Sequence, residues 1–252
     1  MKRKQTTGGP DHGKSLPSEA SSALGRLSRL IRFPILASCF AGATLLLMDT
    51  AQAANWYVRA SSTGASTGKD WNNAWSLSGI SWGSVAAGDT IYIAGGSYGG
   101  GFSSSKSGSA GAPIQLRRAT STNPACTAAA GWSSALDGTI NLAGITISHN
   151  YVVLSGEVAS GIIVNQSGVG GWVKGGCTGV TLSYIEFTAS SPAGANNQGL
   201  LVSYGNQTAV INLTVDHCLF HHLVNGIQCY FATGLVIQYS EFYDINNQGS
   251  TG

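Results

Sequence analysis

Three octapeptides carry the same pattern: Val180–Phe187 (VTLSYIEF), Leu213–Phe220 (LTVDHCLF) and Leu235–Phe242 (LVIQYSEF). Apolar residues fall at the first, third and last positions, with polar residues between them. The final Phe recurs at steps of 33 and 22 residues, and a weaker copy, Tyr151–Val158, ends 29 residues before the first. A second short element follows the copies: Gly161–Val164, Gly199–Val202 and Gly226–Cys229. Short strands repeating with a period of about 20–50 residues point to a solenoid, in which one coil cannot bury its apolar side until the next stacks on it. Stacked coils would align Val180, Leu213 and Leu235 in one inward column, Leu182, Val215 and Ile237 in another, and Phe187, Phe220 and Phe242 in a third. The variable steps fall in loops, the longest insertion running from Thr188 to Gln198. The expected fold is therefore all-β, a right-handed parallel β-helix.

Composition agrees with many turns and few helices. Only 10% of residues are charged and 35 are glycine, the residue that accepts the positive φ of tight turns. The net charge of +2 is unevenly spread: seven of the 13 basic residues lie before position 33, and the chain after residue 53 is net acidic. No basic patch of the kind that binds nucleic acid is present. The first 53 residues read as a leader: a basic stretch, the apolar run Phe33–Met48, and Ala51-Gln52-Ala53 as a cleavage site. That run is short for a membrane span. The chain is expected to be secreted, periplasmic or displayed at the cell surface, monomeric, and without a membrane segment beyond the leader. Cys126, Cys177, Cys218 and Cys229 remain after cleavage. Export permits disulfides among them, in three possible pairings, while packing as small apolar residues is the alternative.

Residues 54–131 read as an opening module and residues 132–252 as the coils. In the opening module Trp56-Tyr57-Val58, Ala87-Gly88-Asp89-Thr90-Ile91-Tyr92-Ile93, Gly95-Gly96-Ser97-Tyr98 and Gly111-Ala112-Pro113-Ile114 precede Leu136-Asp137-Gly138. This arrangement resembles the N-terminal cap of secreted right-handed parallel β-helix proteins, the superfamily of pectate, alginate and chondroitinase-type lyases. The resemblance implies β-elimination of an acidic polysaccharide. It also implies calcium held by Asp or Glu and a Lys or Arg base on successive coils. Hard calcium wants several oxygen ligands, and a cation beside the base lowers its pKa.

The residues meet those needs only thinly. Glu186, Asp216, Glu241 and Asp244 are the carboxylates available for a metal. No Lys or Arg follows Lys174. Lys174, Asp216 and His217 are the candidates for proton transfer, although His217 occupies the position of Tyr184 and Tyr239 and reads first as a stacked turn residue. His221-His222 is expected in a solvent-facing turn after the strand. Trp172, Tyr204 and Tyr230 are candidates for stacking on sugar rings, whereas Trp71, Trp75, Trp82 and Trp132 read as cap core. Asn246–Gly252 falls where the next loop should lead into its Gly-started strand, so a β-helix truncated mid-coil at its C-terminus is expected. The functional expectation is an exported carbohydrate-active protein of the polysaccharide-lyase type. Its alternative is a non-catalytic β-helix that binds glycans or serves as a surface or adhesin segment.

Overall fold

The computed structural model describes residues 52–189, 197–205 and 208–245. The leader, apart from its last two residues, and the segment after Ile245 lie outside the described residues. Three sheets run the length of the molecule, and the strands pair in parallel throughout. Sheet A stacks Trp75–Ser76, Asn55–Arg59, Thr90–Ile93, Ile114–Arg118, Val152–Ser155, Thr178–Ser183 and Val210–Asp216, with Ala232–Thr233 and Val236–Gln238 last. Sheet B stacks Gly96–Ser97, Ile140–Leu142, Ile162–Asn165, Ile185–Thr188, Leu219–Leu223 and Glu241–Ile245. Sheet C stacks Phe102–Ser103, Ile145–Ile147, Val169–Val173, Gln198–Val202 and Asn225–Cys229. From Thr90 onward the chain visits A, B and C in turn, which is a parallel β-helix. Thr90–Ile93 and Ile114–Arg118, in the opening module, already belong to the sheet that continues through the coils.

The register explains the core. In sheet A one inward column runs through seven levels: Trp56, Ile91, Leu116, Leu154, Leu182, Val215 and Ile237. The first six are buried, while Ile237 in the last coil is 44% exposed. Each buried aliphatic in such a column contributes about 1.5–3 kcal/mol. In sheet B the expected phenylalanine column forms, with ring centroids of Phe187 and Phe220 4.9 Å apart and those of Phe220 and Phe242 4.7 Å apart. The glycines that open the sheet C strands make room for these rings. A Cβ on Gly199 would stand 2.7 Å from the Phe220 ring, and one on Gly226 would stand 2.7 Å from the Phe242 ring.

Two parts of the repeat differ from the expectation. Leu154, not Val153, pairs with Leu182, so the Tyr151–Val158 copy is offset by one residue. The level below Phe187 is Val164, and Val158 is 48% exposed. Gly161–Val164 therefore runs into sheet B, whereas Gly199–Val202 and Gly226–Cys229 lie in sheet C. The cause is the corner between sheets A and B. It takes one or two residues in the later coils but a longer loop after Ser155, and apolar spacing alone does not reveal which corner a loop turns.

The cap closes the first coil. Trp56 stacks on Trp75 at 4.8 Å, and Lys69 Nζ lies 3.6 Å from the centroid of the Trp56 ring. On the other face of sheet A, Tyr57, Trp71, Tyr92, Cys126 and Leu136 form a second small core. Trp71 Nε1 donates to the Cys126 carbonyl and the Tyr57 hydroxyl to the Ala125 carbonyl. Burial among these groups pushes the Tyr57 phenol up to about 12. The expectation that Trp71 and Trp75 are cap core holds, as both are buried.

All four described cysteines are free thiols; Cys126, Cys177 and Cys218 are buried and Cys229 is exposed. Burial raises the Cys218 thiol to about 11, consistent with an unreactive core residue.

Asp137, from the Leu136-Asp137-Gly138 motif, ties the cap to the coils. It accepts from the Ser121 backbone and pairs with the largely buried Arg118. Hydrogen bonds from Ser121 and then the Arg118 charge hold its carboxyl below the usual range. A carboxyl lowered by folding stabilises the native state above its unfolded pKa, near about 4, and that contribution is lost as pH falls through the lower folded value. Asp137→Asn should therefore lower the urea midpoint at neutral pH and flatten its decline in acid. Parallel acid limbs for variant and parent would contradict this.

Candidate functional site

Sheet C presents the face best equipped to hold a ligand. Strand alternation sends Gly171, Leu200 and Ile227 inward and Trp172, Leu201 and Gln228 outward in register. One or two residues past the strand ends, Tyr204 and Tyr230 extend the outward column. Trp172 meets Tyr204 edge-on at 6.5 Å, and Tyr204 meets Tyr230 at 5.3 Å. The three aromatic candidates from the sequence are therefore brought together as a file crossing three coils. Tyr204 and Tyr230 are about half exposed. Lys174 Nζ lies 5.2 Å from the centroid of the Trp172 ring, so this candidate belongs to the same face.

Two hollows flank the file. One, of about 400 Å³, is lined by Gln198, Leu201, Tyr204, Gln228 and Tyr230. The other, of about 320 Å³, is lined by Phe102, Thr146, Gln166 and Trp172 among others. Val169 borders both. Three shielded side-chain atoms have no hydrogen-bond partner among the described residues: Trp172 Nε1, Gln198 Oε1 and Gln228 Oε1. All three belong to sheet C residues that line these hollows. An unpaired buried polar atom costs about 1–3 kcal/mol, so their concentration on one face marks it as suited to a polar ligand. A larger hollow, about 680 Å³, lies between Ile227 and the last described coil at Ile237 and Phe242, away from the aromatic file.

The remaining candidates sit elsewhere. Asp216 and His217 stand at the corner of sheets A and B, where His217 Nδ1 lies 2.9 Å from Asp216 and Gln238 donates to the same carboxylate at 3.1 Å. His217 is sandwiched between Tyr184 at 4.8 Å and Tyr239 at 4.9 Å. All three have positive φ, between 50° and 56°, a conformation costly for bulky residues; the stacked rings offset that cost. The turn-ladder alternative for His217 thus matches its geometry, and neither Asp216 nor His217 shares a sheet with Lys174.

The four candidate metal carboxylates are dispersed. Glu186 faces His221, Asp216 faces His217, Asp244 faces His222, and Glu241 lines a small hollow with Tyr184 and Tyr239. Among the described residues no three His, Cys, Asp or Glu side chains converge as a metal site. His221-His222 departs from its expected solvent-facing turn. Both lie within the strand Leu219–Leu223, and His221 is buried beneath Tyr243 at 4.8 Å. The signal was present in the sequence, because each strand continues past its Phe: Thr188, His221 and Tyr243 occupy the same offset.

The three parallel sheets define the chain as a parallel β-helix protein. Among solved structures it is similar to pectate lyase Pel9A, with a TM-score of 0.45 and 17% identity over 74% of this chain and 46% of that one. It is also similar to a rhamnogalacturonan lyase, with a TM-score of 0.34 and 12% identity over 75% of this chain and 62% of that one. The chain thus spans about half the length of the first and under two thirds of the second. No family model and no curated protein matches the sequence.

Proposed function

We propose that this chain is an exported carbohydrate-active β-helix that holds an acidic polysaccharide along the outer face of sheet C. The leader pattern of residues 1–53 supports export. The observation that carries the binding reading is the file Trp172–Tyr204–Tyr230 with unpaired polar atoms on the same face. Aromatic rings offer flat apolar surface to a sugar ring, and amide and indole groups match its hydroxyls. A file crossing successive coils suits an extended chain rather than a single sugar.

Binding without turnover is the better supported form of this reading, because Lys174 is the last Lys or Arg in the sequence. Turnover as a polysaccharide lyase is the second form, since Lys174 stands beside Trp172 on the same face; once deprotonated, Lys174 would take the sugar C5 proton while the bond from C4 to the glycosidic oxygen breaks and that oxygen leaves with a proton from solvent. The two forms separate in one assay, since only a lyase releases unsaturated, ultraviolet-absorbing oligosaccharides, and Lys174→Ala would abolish that release.

Affinity electrophoresis of the full chain through gels containing pectate, alginate or a glycosaminoglycan tests the shared claim. Retardation is expected in at least one, with the apparent Kd weakened about tenfold by Trp172→Ala or Tyr230→Ala, the order of loss for truncating a contact aromatic. Equal mobility in every gel would overturn the proposal.

A further inference from the structure

His221 and His222 are neighbours in sequence, yet their rings meet on one side of sheet B. A strand would send them to opposite faces. The positive φ of His222, 54°, turns its side chain back beside His221, and Asp244 at the paired position repeats the turn with a φ of 48°. The result is a row of four groups. Glu186 Oε1 lies 3.0 Å from His221 Nε2, the two Nδ1 atoms lie 2.5 Å apart, and His222 Nε2 lies 3.5 Å from Asp244 Oδ2.

The Glu186 end of the row fixes one proton. An ionised carboxylate only accepts hydrogen bonds, and a neutral imidazole carries one N–H. Glu186 therefore places that N–H on Nε2 of His221, while Asp244 is a looser neighbour of His222. The Nδ1 of His221 is left as a lone pair aimed at His222 Nδ1, so the two rings are joined either by a proton on His222 Nδ1 or by a cation that takes its place between two lone pairs. A histidine whose far nitrogen donates to a carboxylate is the usual arrangement for a metal ligand, because the carboxylate sets the tautomer and makes the ligand nitrogen more basic. Imidazole nitrogen suits zinc, copper and nickel and does not suit calcium.

We infer that His221 and His222 form a two-nitrogen seat for a borderline divalent transition-metal ion, with His221 oriented by Glu186. Zn–N bonds of about 2.0–2.1 Å require the two nitrogens roughly 2.9–3.3 Å apart, so the rings part by under an ångström on binding. His222, whose side chain is 44% exposed, supplies that movement and leaves the remaining ligand positions open to solvent. Thr188 Oγ1, 3.5 Å from His221 Nδ1, is the nearest further oxygen. The site lies on sheet B and stands independently of glycan binding on sheet C.

The test is calorimetric titration of zinc chloride into chelator-stripped full chain near neutral pH. One saturable site per chain is expected, with no matching heat from calcium. His222→Asn, which keeps a residue tolerant of positive φ, should abolish the site while leaving the melting temperature of the metal-free protein unchanged. Glu186→Gln should weaken it about tenfold or more, the usual effect of removing such an orienting group, and His217→Ala should leave it intact. Absence of saturable binding, which would mean that the two rings share a proton instead, overturns the inference. So does binding that survives His222→Asn.

Discussion

Phe220→Ala should cost this protein about 3–5 kcal/mol, the usual range for emptying a fully buried aromatic site. Phe220 has no solvent exposure and is stacked from both sides, nearly parallel to Phe187 and Phe242. Its neighbours have little means of filling the hole. The residue that faces the ring from sheet C is Gly199, and a side chain there is blocked by backbone, since its Cβ would stand 2.5 Å from the Gly226 carbonyl oxygen. The cavity therefore persists, and the full penalty for lost contacts applies. A lower urea midpoint measures the effect, and Phe220→Leu should recover much of it. Adding Gly199→Ala to Phe220→Ala should destabilise further rather than rescue, because the clash with backbone does not depend on the ring. A loss below about 1 kcal/mol for Phe220→Ala would show that the columns relax more freely than a packed interior does.

Asp89→Ala is the second large effect, expected at about 3 kcal/mol or more. The carboxylate is buried and accepts three hydrogen bonds: from the Ala54 backbone at 2.7 Å, Trp56 Nε1 at 2.8 Å and the Ala86 backbone at 2.8 Å. Its removal strands three donors, each costing about 1–3 kcal/mol where it stays shielded from water. Asp89→Asn should not restore stability. One carboxylate oxygen serves Ala54 and the other serves Trp56 and Ala86, so either orientation of the amide sets an N–H₂ against at least one donor. Urea unfolding followed by tryptophan fluorescence reads both variants, and a stability for Asp89→Asn equal to that of the parent would contradict the assignment.

These cases show what was legible in the sequence. The columns of sheets A and B were readable from Leu182, Val215 and Ile237 and from the three phenylalanines, because stacking coils repeat the same burial at the same offset. The earliest coil was misread because a longer loop after Ser155 replaced a short corner, and an apolar run such as Ile162–Val164 looks the same on sheet B as on sheet C. Asp89 reads only as part of the opening-module motif; its partners Ala54 and Trp56 lie 35 and 33 residues away, and spacing does not reveal a hydrogen bond made across coils. Trp172, Tyr204 and Tyr230 were visible as aromatics but not as a file, because Tyr204 lies beyond the end of its strand. The pairing of His221 with Glu186 was hidden for a related reason: the strand continues past Phe220, and the backbone turn at His222 brings together two side chains that alternation would separate.

Sheet C is the face proposed to hold polysaccharide. Amide chemical-shift mapping of the isotope-labelled full chain, titrated with acidic oligosaccharides cut from the retarding polymer, tests this most directly. The shifts should concentrate on Trp172, Leu201, Tyr204, Gln228 and Tyr230, with the indole N–H of Trp172 among the most displaced. Shifts confined to sheets A or B, or to the hollow around Phe242, would contradict it.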